Sequence, residues 1–122
     1  MKEIIATTET YPGLIAEGGI ALIMYDIRRE PYRSKPRIMA AFRRMGRKYE
    51  WLRLVYVDFQ FCRIPDRENL GHIPSFRLYC DGQLIEQVRS YMNGDRLERW
   101  IDSLLGPRPQ SGIREAAGTD CL

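Results

Sequence analysis

The stretch "IALIMYDI" at residues 20–27 holds the longest apolar run of the chain, and its reading decides the architecture. A strand with one wet face alternates apolar and polar residues. A nearly continuous apolar run of strand length marks a strand covered on both faces. Such a strand needs other elements above and below it, which points to an α/β arrangement. The run is far short of the roughly 20 residues that cross a bilayer, so no membrane role is expected.

Toward the N-terminus, "EIIAT" (3–7) is a short β-rich run, and Pro12 and Gly13 leave Tyr11 to Glu17 as at best a short helix before Gly18-Gly19. Toward the C-terminus a helix is predicted from about Ser34 to Tyr49, with Ser34 as N-cap and Pro36 in the first turn. Ile38, Met39, Phe42, Met45 and Tyr49 recur at helical spacing, while Arg37, Arg43, Arg44, Arg47 and Lys48 fill other positions. Gly46 weakens that helix slightly. "WLRLVYVDF" (51–59) reads as a second buried strand, and "IPDRENLGH" (64–72) as one helical turn at most. "SFRLYC" and "QLIEQV" flank Asp81-Gly82, a strong hairpin signal. The last helix presents Leu97, Trp100, Ile101, Leu104 and Leu105, and Gly106 and Pro107 stop it. Residues 1–106 then form one domain, and the polar residues 107–122 a flexible tail. The succession β-α-β-α-β-(α)-β-β-α predicts a three-layer α/β fold, a central mixed sheet of about five strands with flanking helices.

A chain of 122 residues, 44% hydrophobic and 29% charged, fits one soluble globular domain. No apolar segment follows Met1, so no signal peptide is expected and the cytoplasm is the default location. Cys62, Cys80 and Cys121 are scattered and His72 stands alone, so neither a metal site nor a cofactor is expected. The odd cysteine count suggests free thiols. Cys62 and Cys80 fall at opposite ends of the sheet, too far apart to pair.

Charge is informative where it is counted locally. From Arg28 to Arg53 ten basic residues face only Glu30 and Glu50, so that segment is +8 in a chain whose net charge is +3. Arg28, Arg29 and Arg33 lie in the loop that leads into a helix N-terminus. Cations there oppose the helix dipole at a cost of about a few tenths of a kcal/mol each. A placement that costs stability invites a functional reason, and an anionic partner is the simplest.

The whole succession resembles the thioredoxin family over about residues 2 to 105. "KEIIATTETY" is similar to that family's first strand and the start of its first helix, and "YCDGQLIEQV" and "DRLERWIDSLL" to its terminal hairpin and last helix. Asp26 takes the place of the family's buried carboxylate. "HIPSF" resembles its I-P-T motif, which implies a cis peptide at Ile73-Pro74. The family's W-C-G-P-C-K motif falls on "PYRSKP" (31–36), so Tyr32 and Lys35 stand at the two cysteine positions. No cysteine occurs between residues 1 and 61. Dithiol exchange needs a thiolate and a resolving thiol, which a phenol and an ammonium cannot replace, so no oxidoreductase activity is expected. The family's lysine beside the buried Asp appears as Leu54, and its substrate-approach glycine as Ser90. A narrower resemblance is to the phosducin-like proteins, which keep this fold without the cysteine pair and bind other proteins. "LIMYDIRREP" and "FCRIPDRENLGHIPSFRLYCDGQL" are similar to that branch.

The expected role is that of a redox-inactive binding module, adaptor or assembly factor. Its expected contact residues are Arg28, Arg29, Tyr32, Arg33, Lys35, Ile73 and Pro74, with free backbone N–H groups at the helix N-terminus, and its partner a protein with an acidic segment. Two other classes stand beside it. One is nucleic-acid binding through the arginine block, against which no interleaved aromatics are present. The other is a residual enzyme that uses Cys62 as a single thiol near the Pro74 side, or the Tyr32 hydroxyl as in glutathione transferases.

Overall fold

The structure, a computed structural model, describes residues 3–88 and 92–106. Its strands are β1 (Ile4–Ile5), β2 (Ile20–Asp26), β3 (Arg53–Asp58), β4 (Ser75–Cys80) and β5 (Gln83–Val88). Its helices are α1 (Tyr11–Ala16), α2 (Lys35–Lys48) and α3 (Gly94–Leu105), with a single 3-10 turn at Arg67–Asn69. The sheet order is β1-β3-β2-β4-β5. β1 and β2 run parallel to β3, and the β2–β4 and β4–β5 pairs are antiparallel. This is the expected mixed, three-layer arrangement. The proposed tail and Ser90 lie outside the described residues.

β2 is buried along its whole length. Ile20, Leu22 and Met24 face Ile38, Phe42 and Met45 of α2 and Leu97 and Ile101 of α3 in one core. Ala21, Ile23 and Tyr25 face Tyr11 of α1, Cys62, Ile64 and Leu70 in a second. The continuous apolar run of the sequence is therefore the shared wall of two cores.

The hairpin turns at Asp81 (φ 51°) and Gly82 (φ 87°), both left-handed, as an Asp-Gly hairpin turn requires. Asp81 Oδ1 also accepts from the Gly19 N–H at 2.7 Å, which ties the hairpin to the start of β2. Ile73-Pro74 is cis and immediately precedes β4. Among the described residues no helix is long and apolar enough to cross a membrane.

Candidate functional site

β2 ends at Asp26 and α2 begins at Lys35, so the loop 27–34 lies at the C-terminal edge of the sheet. The cis-proline loop reaches the same edge because Tyr25 pairs with Ser75, the first residue of β4. Topology thus brings the arginine loop, the α2 N-terminus and Pro74 together. Tyr32, Ser34, His72, Ile73, Pro74 and Met92 line a groove of about 340 Å³ between them.

Asp26 is fully buried. A buried carboxylate needs a counter-charge and donors. Lys35 supplies the charge, with Nζ 3.3 Å from Asp26 Oδ2, and the Tyr56 hydroxyl donates to the same oxygen at 3.0 Å. Lys35 Nζ also donates to the carbonyls of Ile27 (3.0 Å), Arg28 (2.6 Å) and Glu30 (2.9 Å). The Tyr32 ring lies 5.3 Å from the same ammonium. Lys35 is therefore turned inward and saturated with acceptors. The expectation that it meets a partner's anion gives way to a structural role, in which it closes the 27–30 loop over Asp26.

Tyr32 also departs from the expected exposed anchor. Its ring is half-buried against the α2/α3 core. Its hydroxyl is buried and lies close to the Asp26 carboxylate, and neither it nor Asp26 Oδ1 meets a partner in good hydrogen-bond geometry among the described residues. Burial, then the nearby Asp26 charge, pushes the Tyr32 phenol well above the usual tyrosine range. A proton held that firmly argues against hydroxyl chemistry.

Ser34 occupies the N-cap position of α2, but its side chain makes no capping hydrogen bond. The Lys35 N–H goes to the Tyr32 carbonyl at 3.0 Å, and Pro36 has no N–H to give. The helix N-terminus therefore offers few free amides, fewer than the sequence led us to expect. Attraction for an anion comes from guanidinium groups instead.

The basic segment separates into two sets. Lys35 pairs with Asp26, Arg43 with Glu3, Arg44 with Glu98, Lys48 with Asp102 and Arg53 with Glu17. Arg28, Arg29, Arg33, Arg37 and Arg47 make no ion pair among the described residues. Arg28 lies over the Tyr56 ring at 5.3 Å. All of this second set except Arg47 sits in the loop or the first turn of α2.

Cys62 is a free thiol and Cys80 is not, so the free-thiol expectation stands for Cys62 only. Cys121 lies outside the described residues. Cys62 is buried on the opposite face of the sheet, in a groove lined with Tyr11, Phe59, Arg63 and Arg67, and does not line the Pro74 groove. Burial, and then the charge of Glu9, holds its thiol above the ordinary cysteine value. That opposes thiolate formation.

Sequence reasoning missed Arg77, which lies in the middle of β4 and is 2% exposed. It donates to Asp66 at 2.7 Å and to Gln87 at 2.8 Å, and so fastens the 3-10 turn region and β5 to the sheet. No local signal marks it. One arginine on an otherwise alternating strand reads as solvent-facing until its partners are known.

No protein-family model matches the chain. No curated protein matches it either. Many solved structures do. The oxidised thioredoxin of Plasmodium falciparum superposes with a TM-score of 0.72 at 16% identity, over 84% of this chain and 98% of that one. A mutant thioredoxin of Halobacterium salinarum gives 0.69 at 13% identity, over 88% and 95%. A cysteine-to-serine mutant thioredoxin of Entamoeba histolytica gives 0.67 at 18% identity, over 84% and 99%. The chain has a thioredoxin-like fold. Identities this low carry the fold and not the activity.

Proposed function

We propose that this chain is a thioredoxin-fold protein without dithiol chemistry, a binding module or adaptor whose partner presents an acidic segment to the arginine loop. The observation that carries the reading is the sorting of charge. Basic residues elsewhere on α2 and β3 are mostly matched by carboxylates, whereas Arg28, Arg29, Arg33 and Arg37 make no ion pair among the described residues, and Arg33 and Arg37 line a groove that shares Ser34 with the Pro74 groove. Unmatched like charges oppose one another and the α2 dipole, so a partner's carboxylates would relieve a standing cost.

Redox inactivity rests on Tyr32 and Lys35 at the two thiol positions and on the engagement of Lys35 with Asp26. Its resemblance to the phosducin-like proteins, in which the same loss accompanies protein binding, supports an adaptor role. Nucleic acid is the competing anion, and among the described residues the arginine loop carries no fully exposed aromatic ring for base stacking, which weighs against it.

The test has two arms. Insulin reduction with dithiothreitol as electron donor should run no faster with the protein than without it. Catalysis that disappears in Cys62→Ser would overturn the redox reading. In the second arm, partners captured from the native source are compared on wild type and on Arg29→Glu/Arg33→Glu. The charge reversal should slow association and flatten its salt dependence. A partner that binds both proteins alike would show that this face is not used.

A further inference from the structure

A second groove opens beside the first, and the two share Ser34. It holds about 690 Å³ between the first turns of α2 and the start of α3, and is lined by Arg33, Ser34, Arg37, Ala40, Arg44, Asn93, Gly94 and Asp95. Arg33 precedes the N-cap Ser34 and Arg37 lies in the first turn of α2, and both line the groove. Gly94 sets the width of the groove at its floor. A Cβ there would lie 3.1 Å from the Arg37 carbonyl oxygen and 3.5 Å from the Ala41 Cβ, so α3 begins in close contact with the α2 backbone.

The charges of the groove do not cancel internally. Arg44 is matched by Glu98 at 2.8 Å. Arg33 and Arg37 are exposed and unpaired, and Asp95 on the facing wall reaches neither of them within ion-pair distance. Oppositely charged side chains that border one groove without meeting leave it open for a third party. Two guanidinium groups against one carboxylate favour an anionic one.

We infer that the acidic segment proposed above binds as an extended chain across the first turn of α2, with one apolar side chain in the Tyr32/Ile73/Pro74/Met92 groove and neighbouring carboxylates between Arg33 and Arg37 in the α2/α3 groove. The inference rests on the proposed function and adds to it a recognition pattern, an apolar residue adjoining acidic ones. Charge complementarity chooses the occupant. The first groove is lined mainly by apolar groups, the second carries Arg33, Arg37 and Arg44, and Ser34 lines both. Arg29 then steers the approach from the loop, and Arg37 holds the bound chain.

The probe is a fluorescein-labelled peptide of one leucine flanked by glutamates, followed by anisotropy and by amide chemical-shift mapping on the full chain. It should shift residues of both grooves. Replacing its leucine with alanine, or its glutamates with lysine, should weaken it. Arg37→Glu should cost about tenfold or more in affinity. Arg47→Glu, the same charge change on an unpaired arginine outside the groove, should cost much less. Asp95→Asn should tighten binding, since it removes the one opposing charge.

Equal losses in the Arg37 and Arg47 variants would mean diffuse attraction and overturn the groove. Loss in Arg29→Glu/Arg33→Glu with full retention in Arg37→Glu would overturn the groove while the arginine-loop reading survives. No shift in either groove at millimolar peptide would overturn both. Tighter binding of a single-stranded oligonucleotide to these same residues would replace the protein partner with nucleic acid.

Discussion

At the residue scale, Lys35 shows what a position can become when its chemistry changes. A small thiol there would leave Asp26 without its counter-ion, whereas the lysine side chain reaches back to Asp26 and to three loop carbonyls. Breaking a buried pair by removing one partner costs about 3–5 kcal/mol, because the other charge stays buried. Lys35 is partly accessible, so Lys35→Met is predicted to lower stability by about 3 kcal/mol in urea unfolding, at the low end of that range. Adding Asp26→Asn should return part of the loss, since the two residues share one interaction. A single variant with an unchanged midpoint would show that the pair contributes nothing. Tyr32→Phe is predicted to behave oppositely. It deletes a buried hydroxyl that meets the Asp26 carboxylate outside good hydrogen-bond geometry, and a poorly satisfied buried group is a liability of about 1 kcal/mol or more. The variant should therefore unfold at the same or higher urea concentration, and a clear loss would mean the hydroxyl has a favourable partner.

At the element scale, α2 covers one face of the sheet and opens the site at its N-terminus. Gly46 is a poor helix former in its interior, and the packing explains its presence. A Cβ at Gly46 would fall 2.6 Å from Leu54 Cδ1, in a side chain that is 1% exposed. Gly46→Ala gains up to about 1 kcal/mol of helix propensity but overpacks a closed core, which costs about 1–3 kcal/mol. The predicted outcome is a net loss, read as a lower melting temperature, and Leu54→Val should restore part of it in the double variant. A more stable single variant would mean that α2 can lift from β3 without penalty. This contact also marks where the sequence is readable and where it is not. β2 and the Asp81-Gly82 turn are legible because their signals are local: a continuous apolar run, and a pair of residues that tolerate positive φ. The apolar stripes of α2 and α3 are legible for the same reason. The inward turn of Lys35, the burial of the Tyr32 ring and the core position of Arg77 are not. Each depends on a partner far away in sequence or on the exact depth of the element, and neither quantity is written in residue type or spacing.

At the scale of the whole molecule, ion pairs connect elements that backbone hydrogen bonds do not. Glu3 beside β1 holds Arg43 of α2 at 2.8 Å, Asp102 of α3 holds Lys48 of α2 at 2.8 Å, and Asp66 holds Arg77 of β4 at 2.7 Å. The Arg43 hydrogen bond lowers the Glu3 carboxyl below its ordinary 4.5, and the Arg77 hydrogen bond lowers Asp66 below 3.8. For Asp102, burial acts upward but is outweighed by hydrogen bonds from Lys48 and Tyr49, so it too lies below 3.8. All three are more acidic folded than unfolded. The unfolded chain therefore takes up protons first as acid is added, and the stability these groups contribute is fully present above their unfolded values and lost as pH falls through the folded ones. The urea midpoint should thus be flat near neutrality and begin to fall below about pH 4.5, with the descent continuing below the ordinary aspartate value. These carboxylates are partly exposed, so salt should shallow the descent without abolishing it. Asp66→Asn separates the contributions. It removes a carboxylate paired with a buried arginine, so it should lower the midpoint at pH 7 and make the remaining acid limb shallower. A midpoint that rises on acidification would mean that repulsion among acidic residues outweighs these three pairs.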